Sequence, residues 1–478
     1  MKRRDALRVI AAGAAGLMTS RAADGQSPSE LLIRGGRVAN ADGVRDADVR
    51  VVGSQIVEVG PGLKARDRHV INAAGRLVLP GGIDPHTHLH PGFVDDLTTG
   101  SMAALAGGIT TVGTFANATQ GESLTAAIDR LAARVTAEAI ADVILHPSVW
   151  PPSPDTIAAM QTIADAGQPS FKIFMTRSDF GARLPLVIQQ LDAARAAGVV
   201  TLMHCEDGAL LAAAVRRLEA AGRTSLTDYG ESRPVIAEVA ATQQAAALCE
   251  STRAPIYIVH LSSARALEET RAARRGKAPL FIETRPLYLH LTGDRMRGPD
   301  APLFVGQPPL REQDDREAMW RGIADGSIDV LATDHAPWTR AQKLDPNLTI
   351  TRLRPGVSDL RTMLPMFFSE GVHARKLPLT RFVACSSTNA ARIFGLYPKK
   401  GVIREGADAD ITIWDPKMAA PVLAADDPSK SDYSVYEGWK VTGWPVTTIR
   451  RGEVVFDAGR ITGRAGSGAL VRRERWRA

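Results

Sequence analysis

Residues 79–89 read Leu-Pro-Gly-Gly-Ile-Asp-Pro-His-Thr-His-Leu and follow directly on the apolar pair Leu77-Val78. His86 and His88 sit two apart just past Ile83. In a strand, alternate side chains share a face, so both imidazoles point the same way. Two imidazoles side by side at a strand end can hold a divalent metal. Alone, a His-x-His pair is weak, because surface histidine pairs are common; its weight depends on partners elsewhere in the chain.

Working outward from this pair, the middle of the chain alternates apolar runs with alanine-rich, helix-patterned stretches. The runs are Ile83–His88, Ile109–Phe115, Val143–Val149, Phe171–Met175, Val199–His204, Pro255–His260, Pro279–Glu283 and Ile328–Thr333. Stretches such as Leu124–Ala141, Leu186–Ala197 and Glu238–Glu250 separate most of them. Eight strand–helix units predict a (β/α)₈ barrel, whose active site lies at the C-terminal ends of its strands. His86, His88, Lys172, His204, His260 and Asp334 all fall at or near such ends, on units one, four, five, six and eight. Singly, each has a bland reading: a histidine that ends a strand is usually a hydrogen-bonded core residue, and Asp334 could cap a helix. Lys172, inside Ser-Phe-Lys-Ile-Phe-Met, disfavours burial unless something neutralises it. Their coincidence at one end of one barrel is the signal.

The chain ends differ from the middle. Leu31–Ile33, Val49–Val52 and Ile56–Val59 near the start, and Asp410–Trp414, Val446–Ile449 and Val454–Phe456 near the finish, are strand-like runs between Gly- and Pro-containing turns. They predict one small sheet domain built from both ends.

These residues resemble the amidohydrolase superfamily, and within it the cyclic amidohydrolases: dihydropyrimidinases, hydantoinases, allantoinases and dihydroorotases. The matching stretches are 81–89, Ala-Gly-Gly-Ile-Thr-Thr (106–111), Ser-Phe-Lys-Ile-Phe-Met (170–175), Met-His-Cys-Glu (203–206), Ile-Val-His-Leu-Ser-Ser (258–263) and Ala-Thr-Asp-His-Ala-Pro (332–337). Residues 391–401 and 436–446 are most similar to dihydropyrimidinases and hydantoinases. The resemblance implies a composite β-sandwich over 28–78 and 398–465, a hydrolase barrel over 79–397 and a C-terminal tail over 466–478. It also implies two divalent metal ions, usually zinc. His86, His88 and Asp334 would hold the more buried one and His204 and His260 the other, bridged by Lys172 after carboxylation by carbon dioxide. An ammonium beside two dications would be repelled, whereas a carbamate is an anionic oxygen ligand. A metal-bridging hydroxide would attack the scissile carbonyl of a cyclic amide or ureide, with Asp334 moving the proton to the leaving nitrogen. A homotetramer is implied by the resemblance alone.

Three positions depart from the family pattern. Arg177 stands where hydantoinases carry an oxyanion-binding tyrosine. Arg352 stands where an asparagine reads the substrate amide, and Gln307 replaces the serine before Pro308-Pro309. Two arginines suit a carboxylate, so they raise the expectation of an acid-bearing substrate. His335 is a further candidate for substrate contact. A dihydroorotase-like or other cyclic-imide activity is the alternative, although His90 stands where dihydroorotases place an arginine. A non-catalytic assembly protein is the remote one, since all six ligand positions are filled.

Residues 1–25 combine Arg3-Arg4, an apolar run from Val9 to Met18 and the small pair Ala22-Ala23, and read as a twin-arginine-like export signal; a cytoplasmic protein is the alternative. The run is short of the ~20 residues that span a bilayer, so no stable membrane anchor is expected. Residues 1–22 hold five basic residues against one acidic, which accounts for most of the formal net charge of +6. The remainder is close to balanced, so the high pI does not point to nucleic acid. Cys205, Cys249 and Cys385 are odd in number and widely spaced, giving no disulfide framework.

Overall fold

The computed structural model describes residues 30–65, 69–119 and 121–477, so the export segment read at 1–25 lies outside the described residues. Eight parallel strands follow one another around a barrel: β1 (Gly82–Thr87), β2 (Ile109–Asn117), β3 (Asp142–Ser148), β4 (Ser170–Phe174), β5 (Val200–His204), β6 (Ile256–Ile258), β7 (Leu280–Thr284) and β8 (Val330–Leu331). β8 meets β1 through a parallel bridge between Thr87 and His335, where the His88 N–H donates to the His335 carbonyl at 2.8 Å.

These strands read as apolar runs because both faces are covered. β2 is buried along all but its last residue, between the barrel interior and the helices outside. Ile83, Phe115, Ile144, Val200, Leu202, Tyr257 and Val330 pack in the interior with Phe394 and Leu396. The outer helices begin where side chains satisfy free N–H groups: Ser123, Ser153 and Ser263 cap the helices Leu124–Glu138, Pro154–Asp165 and Ala264–Arg275.

The second sheet has nine strands and is assembled from both ends of the chain, as the strand-like runs predict. Its joint is the antiparallel pairing of Leu77–Pro80 with Ile411–Trp414. Buried Lys400 fixes this sheet to the barrel by pairing with Asp142 of β3 at 2.7 Å and with Asp408 and Asp410. Residues 467–476 are not a free tail. They run along β3, where Val143 and Leu470 form a parallel bridge, and bury Arg473, whose guanidinium donates to the Leu145 carbonyl and to Ser170 Oγ. Among the described residues, no helix is long and apolar enough to cross a membrane.

Candidate active site

β1 delivers His86 and His88 to the C-terminal mouth of the barrel, and the turn after β8 delivers Asp334. Their ligand atoms all lie within 4.8 Å of one another. His88 Nε2 is 3.0 Å and His86 Nε2 3.3 Å from Asp334 Oδ1. Across the cavity, β5 and the turn after β6 bring His204 Nδ1 and His260 Nε2 to 3.0 Å. The His86 and His260 ring centroids are 5.5 Å apart, which joins the two groups. Lys172 enters from β4, buried, with Nζ 5.2 Å from the Phe174 ring centroid and 5.3 Å from that of Phe115. All six line one cavity of about 120 Å³ with Phe93, Phe174, Gln307, Ala336, Pro355 and Gly356. His260 and Asp334 hold left-handed backbone, at φ of 40° and 50°. Such strain in non-glycine residues persists where the surroundings over-determine it, and it clusters at functional sites.

Burial decides the charge states. It carries His86 and His260 well below the ordinary imidazole range, and it lowers His204 as well, so these rings are neutral and their lone pairs free. Burial also pushes Lys172 down to about 8, against the pull of Glu283 and Asp334. Asp334 behaves oppositely. Burial alone would raise its carboxyl, but Arg285 together with His86 and His88 outweighs that and holds it well below the usual carboxylate range.

The residues behind these side chains were not singled out in the sequence. Glu283, at the end of β7, accepts from His86 Nδ1 at 2.8 Å and from the His260 N–H at 2.8 Å, so one carboxylate orients a member of each group. With its proton on Nδ1, His86 turns the Nε2 lone pair to the cavity. Glu206 does the same for His204, accepting from Nε2 at 2.6 Å while Arg233 grips its other side. Arg285, fully buried, donates to Asp334 Oδ2 at 2.7 Å, leaving Oδ1 for the cavity. Glu283 closes the seventh apolar run, which is the one sign the sequence carried. Glu206 closes the Met-His-Cys-Glu stretch but carried no role there, and nothing in the sequence marked Arg233 or Arg285.

The substrate-contact candidates separate. Gln307 lines the cavity. Arg177 and Arg352 are both exposed and belong to no part of its lining, because each lies on a loop whose chain turns the side chain to solvent. The expectation of an acid-bearing substrate loses the residues it rested on. His335 is fully buried and faces away: its Nε2 donates to Asp95 at 2.9 Å and its Nδ1 accepts from the Asp359 N–H at 3.2 Å. His90 sits beside His88 at 3.3 Å, outside the lining.

Comparison with known proteins identifies the family. The model of the Amidohydrolase family matches residues 77–455. The D-hydantoinase of Ralstonia pickettii is 32% identical over 457 residues, covering 94% of this chain and 100% of that protein. The dihydropyrimidinase of Rattus norvegicus is 34% identical over 468 residues, with 94% and 90% covered. The crystal structure of dihydropyrimidinase from Brevibacillus agri NCHU1002 superposes with a TM-score of 0.90 at 31% identity, covering 94% and 100%. This chain belongs to the amidohydrolase family.

Proposed function

We propose that the protein is a metal-dependent hydrolase that opens the C–N bond of a small cyclic amide or ureide, as a dihydropyrimidinase or hydantoinase does. The observation that carries this reading is the convergence of four histidines, Lys172 and Asp334 on one cavity at the C-terminal mouth of the barrel. His86 and His88 through Nε2, with Asp334 Oδ1, would hold one divalent ion, and His204 and His260 the other. The nitrogen-rich donor set suits zinc. Lys172 fits the bridging role because burial brings it down to about 8, so that a fraction is free amine able to take up carbon dioxide near neutral pH, and because it lines the same cavity as the four histidines and Asp334. Two ions held there would supply hydroxide near neutral pH and polarise the scissile carbonyl.

The chain's own residues do the rest. Arg285 orients the Asp334 carboxylate through Oδ2, and this carboxylate is the group that takes the proton and returns it to the leaving ring nitrogen. Phe93, Phe174 and Pro355 cover the ring and exclude bulk water, and the Gln307 amide offers a donor and an acceptor to a ureide. Among the described residues no arginine lines the cavity, which favours an uncharged ring. The product is a ring-opened ureido or amido acid.

Zinc-loaded protein with bicarbonate is expected to hydrolyse dihydrouracil or hydantoin, followed by loss of ring absorbance. Asp334→Asn is expected to remain folded and to lose ~10²–10⁴-fold in kcat, the range of a general acid–base contribution. Substantial activity in that variant removes Asp334 from proton transfer. Failure of the loaded native protein on both rings overturns the substrate class.

A further inference from the structure

Lys343 ends the short helix Arg340–Lys343, in the segment after β8, and is not among the six proposed ligands. Its side chain is fully buried, and Nζ donates to three backbone carbonyls: Arg354 at 2.8 Å, Val305 at 2.9 Å and Gly356 at 3.0 Å. An ammonium taken out of water is costly unless its N–H groups are matched, and three carbonyls match three protons. Among the described residues no carboxylate takes part: burial and the nearby Arg285 push the amine well below the ordinary lysine range, and main-chain dipoles alone favour its charged form.

Those carbonyls come from two segments far apart in sequence, and both segments form the wall of the cavity through Gln307, Pro355 and Gly356. Other bonds converge on the same wall. The Gly356 N–H donates to the Val305 carbonyl at 2.9 Å, Trp338 Nε1 to the Pro355 carbonyl at 2.8 Å, and Tyr229 OH to the Gly306 carbonyl at 2.9 Å. Gly356, at φ +107°, leaves no room for a side chain: a Cβ there would stand 3.1 Å from the Ala336 carbonyl carbon. The wall is therefore made of backbone, and backbone must be held from behind.

We propose that Lys343 is a positioning residue whose ammonium clamps residues 305–307 to residues 354–356, fixing the wall against which the substrate ring lies and restricting the cavity to small rings. This rests on reading the cavity as the substrate site. Removing the ammonium with Lys343→Met keeps the apolar stem and frees three carbonyls.

Hydrogen exchange on the full-length, metal-loaded chain is the direct test. Exchange in 303–308 and 353–358 is expected to rise while β1 to β7 keep native protection. Metal content is expected to stay at the native level. KM for dihydrouracil or hydantoin is expected to rise about tenfold or more, equivalent to ~1.4 kcal/mol of lost positioning, with kcat much less affected. Lys343→Gln, which retains two donors, should fall between native and Met and serves in its place if Lys343→Met does not fold. Unchanged exchange in both segments, a rise spread over the whole barrel, or an unchanged KM overturns the clamp. Exchange is read without substrate, so a chain that opened neither ring would still reveal the clamp, and the two readings fail separately.

Discussion

Asp95, outside the cavity, anchors His335, the residue that follows Asp334. Its carboxylate accepts from His335 at 2.9 Å, from Ser429 Oγ at 2.6 Å, from the Lys430 N–H at 2.7 Å and from Thr99 at 2.8 Å. Burial raises its proton affinity, but His335 and these donors outweigh that and bring it down to about 2. An unfolded aspartate titrates near ~3.9, so the fold binds this proton less readily than the open chain does. The stability Asp95 contributes is thus fully present above pH ~4 and is lost as pH falls through about 2. Its size is on the order of 2 kcal/mol, from 1.36 kcal/mol per pKa unit. Asp95→Asn should lower the melting temperature at neutral pH and lose less of its stability than the native protein between pH ~4 and ~2. Parallel acid melting curves for the two proteins would deny the residue this role. At the same scale, the gathering of His86, His88, Lys172, His204, His260 and Asp334 in one cavity was legible because strand periodicity fixes which side chains reach a barrel mouth. Arg177 and Arg352 were not, because periodicity says nothing about which way a loop side chain turns, and both turn to solvent. Glu206, Arg233, Glu283 and Arg285 act through contacts made only when distant strands meet.

Among the elements, β1 and β2 set the precision of the site. Gly113 in the middle of β2 lies against Pro85, the residue before His86; a Cβ there would stand 2.7 Å from His146 Nε2 and closer still to the Pro85 carbonyl oxygen. His146 Nε2 itself donates to that oxygen at 3.0 Å, and its Nδ1 meets Ser170 Oγ at 2.7 Å, so β1, β3 and β4 are braced through one ring. Gly113→Ala must displace backbone, and overpacking of this kind costs ~1–3 kcal/mol. We expect a lower melting temperature together with weaker metal retention, since the displaced chain carries His86. A variant with native melting temperature and native metal content would show that β1 is not held by this contact. All eight barrel strands could be read from their apolar runs, the shortest, β8, included. Glycine-dependent strand approach could not, because its cause is a neighbour brought in by the tertiary fold.

Across the whole molecule, the two chain ends close on each other and on the barrel. The joint between Leu77–Pro80 and Ile411–Trp414, the Lys400 cluster, and residues 467–476 along β3 hold the base of the barrel while the mouth carries the chemistry. The pairing of both ends was legible because strand-like runs recur at each end. The docking of 467–476 was not, because buried Arg473 is a charged residue that the sequence reads as solvent-facing and that is buried only by what it meets. We propose that this architecture assembles a two-metal hydrolase. Metal titration of chelated protein tests it most directly, with bicarbonate present and ring opening of dihydrouracil and hydantoin followed alongside. Activity is expected to vanish after chelation and to recover with saturation at two divalent ions per chain; Lys172→Ala should bind metal more weakly and fail to recover. Ring opening that survives complete chelation, or a folded chain that binds no divalent ion, would contradict it.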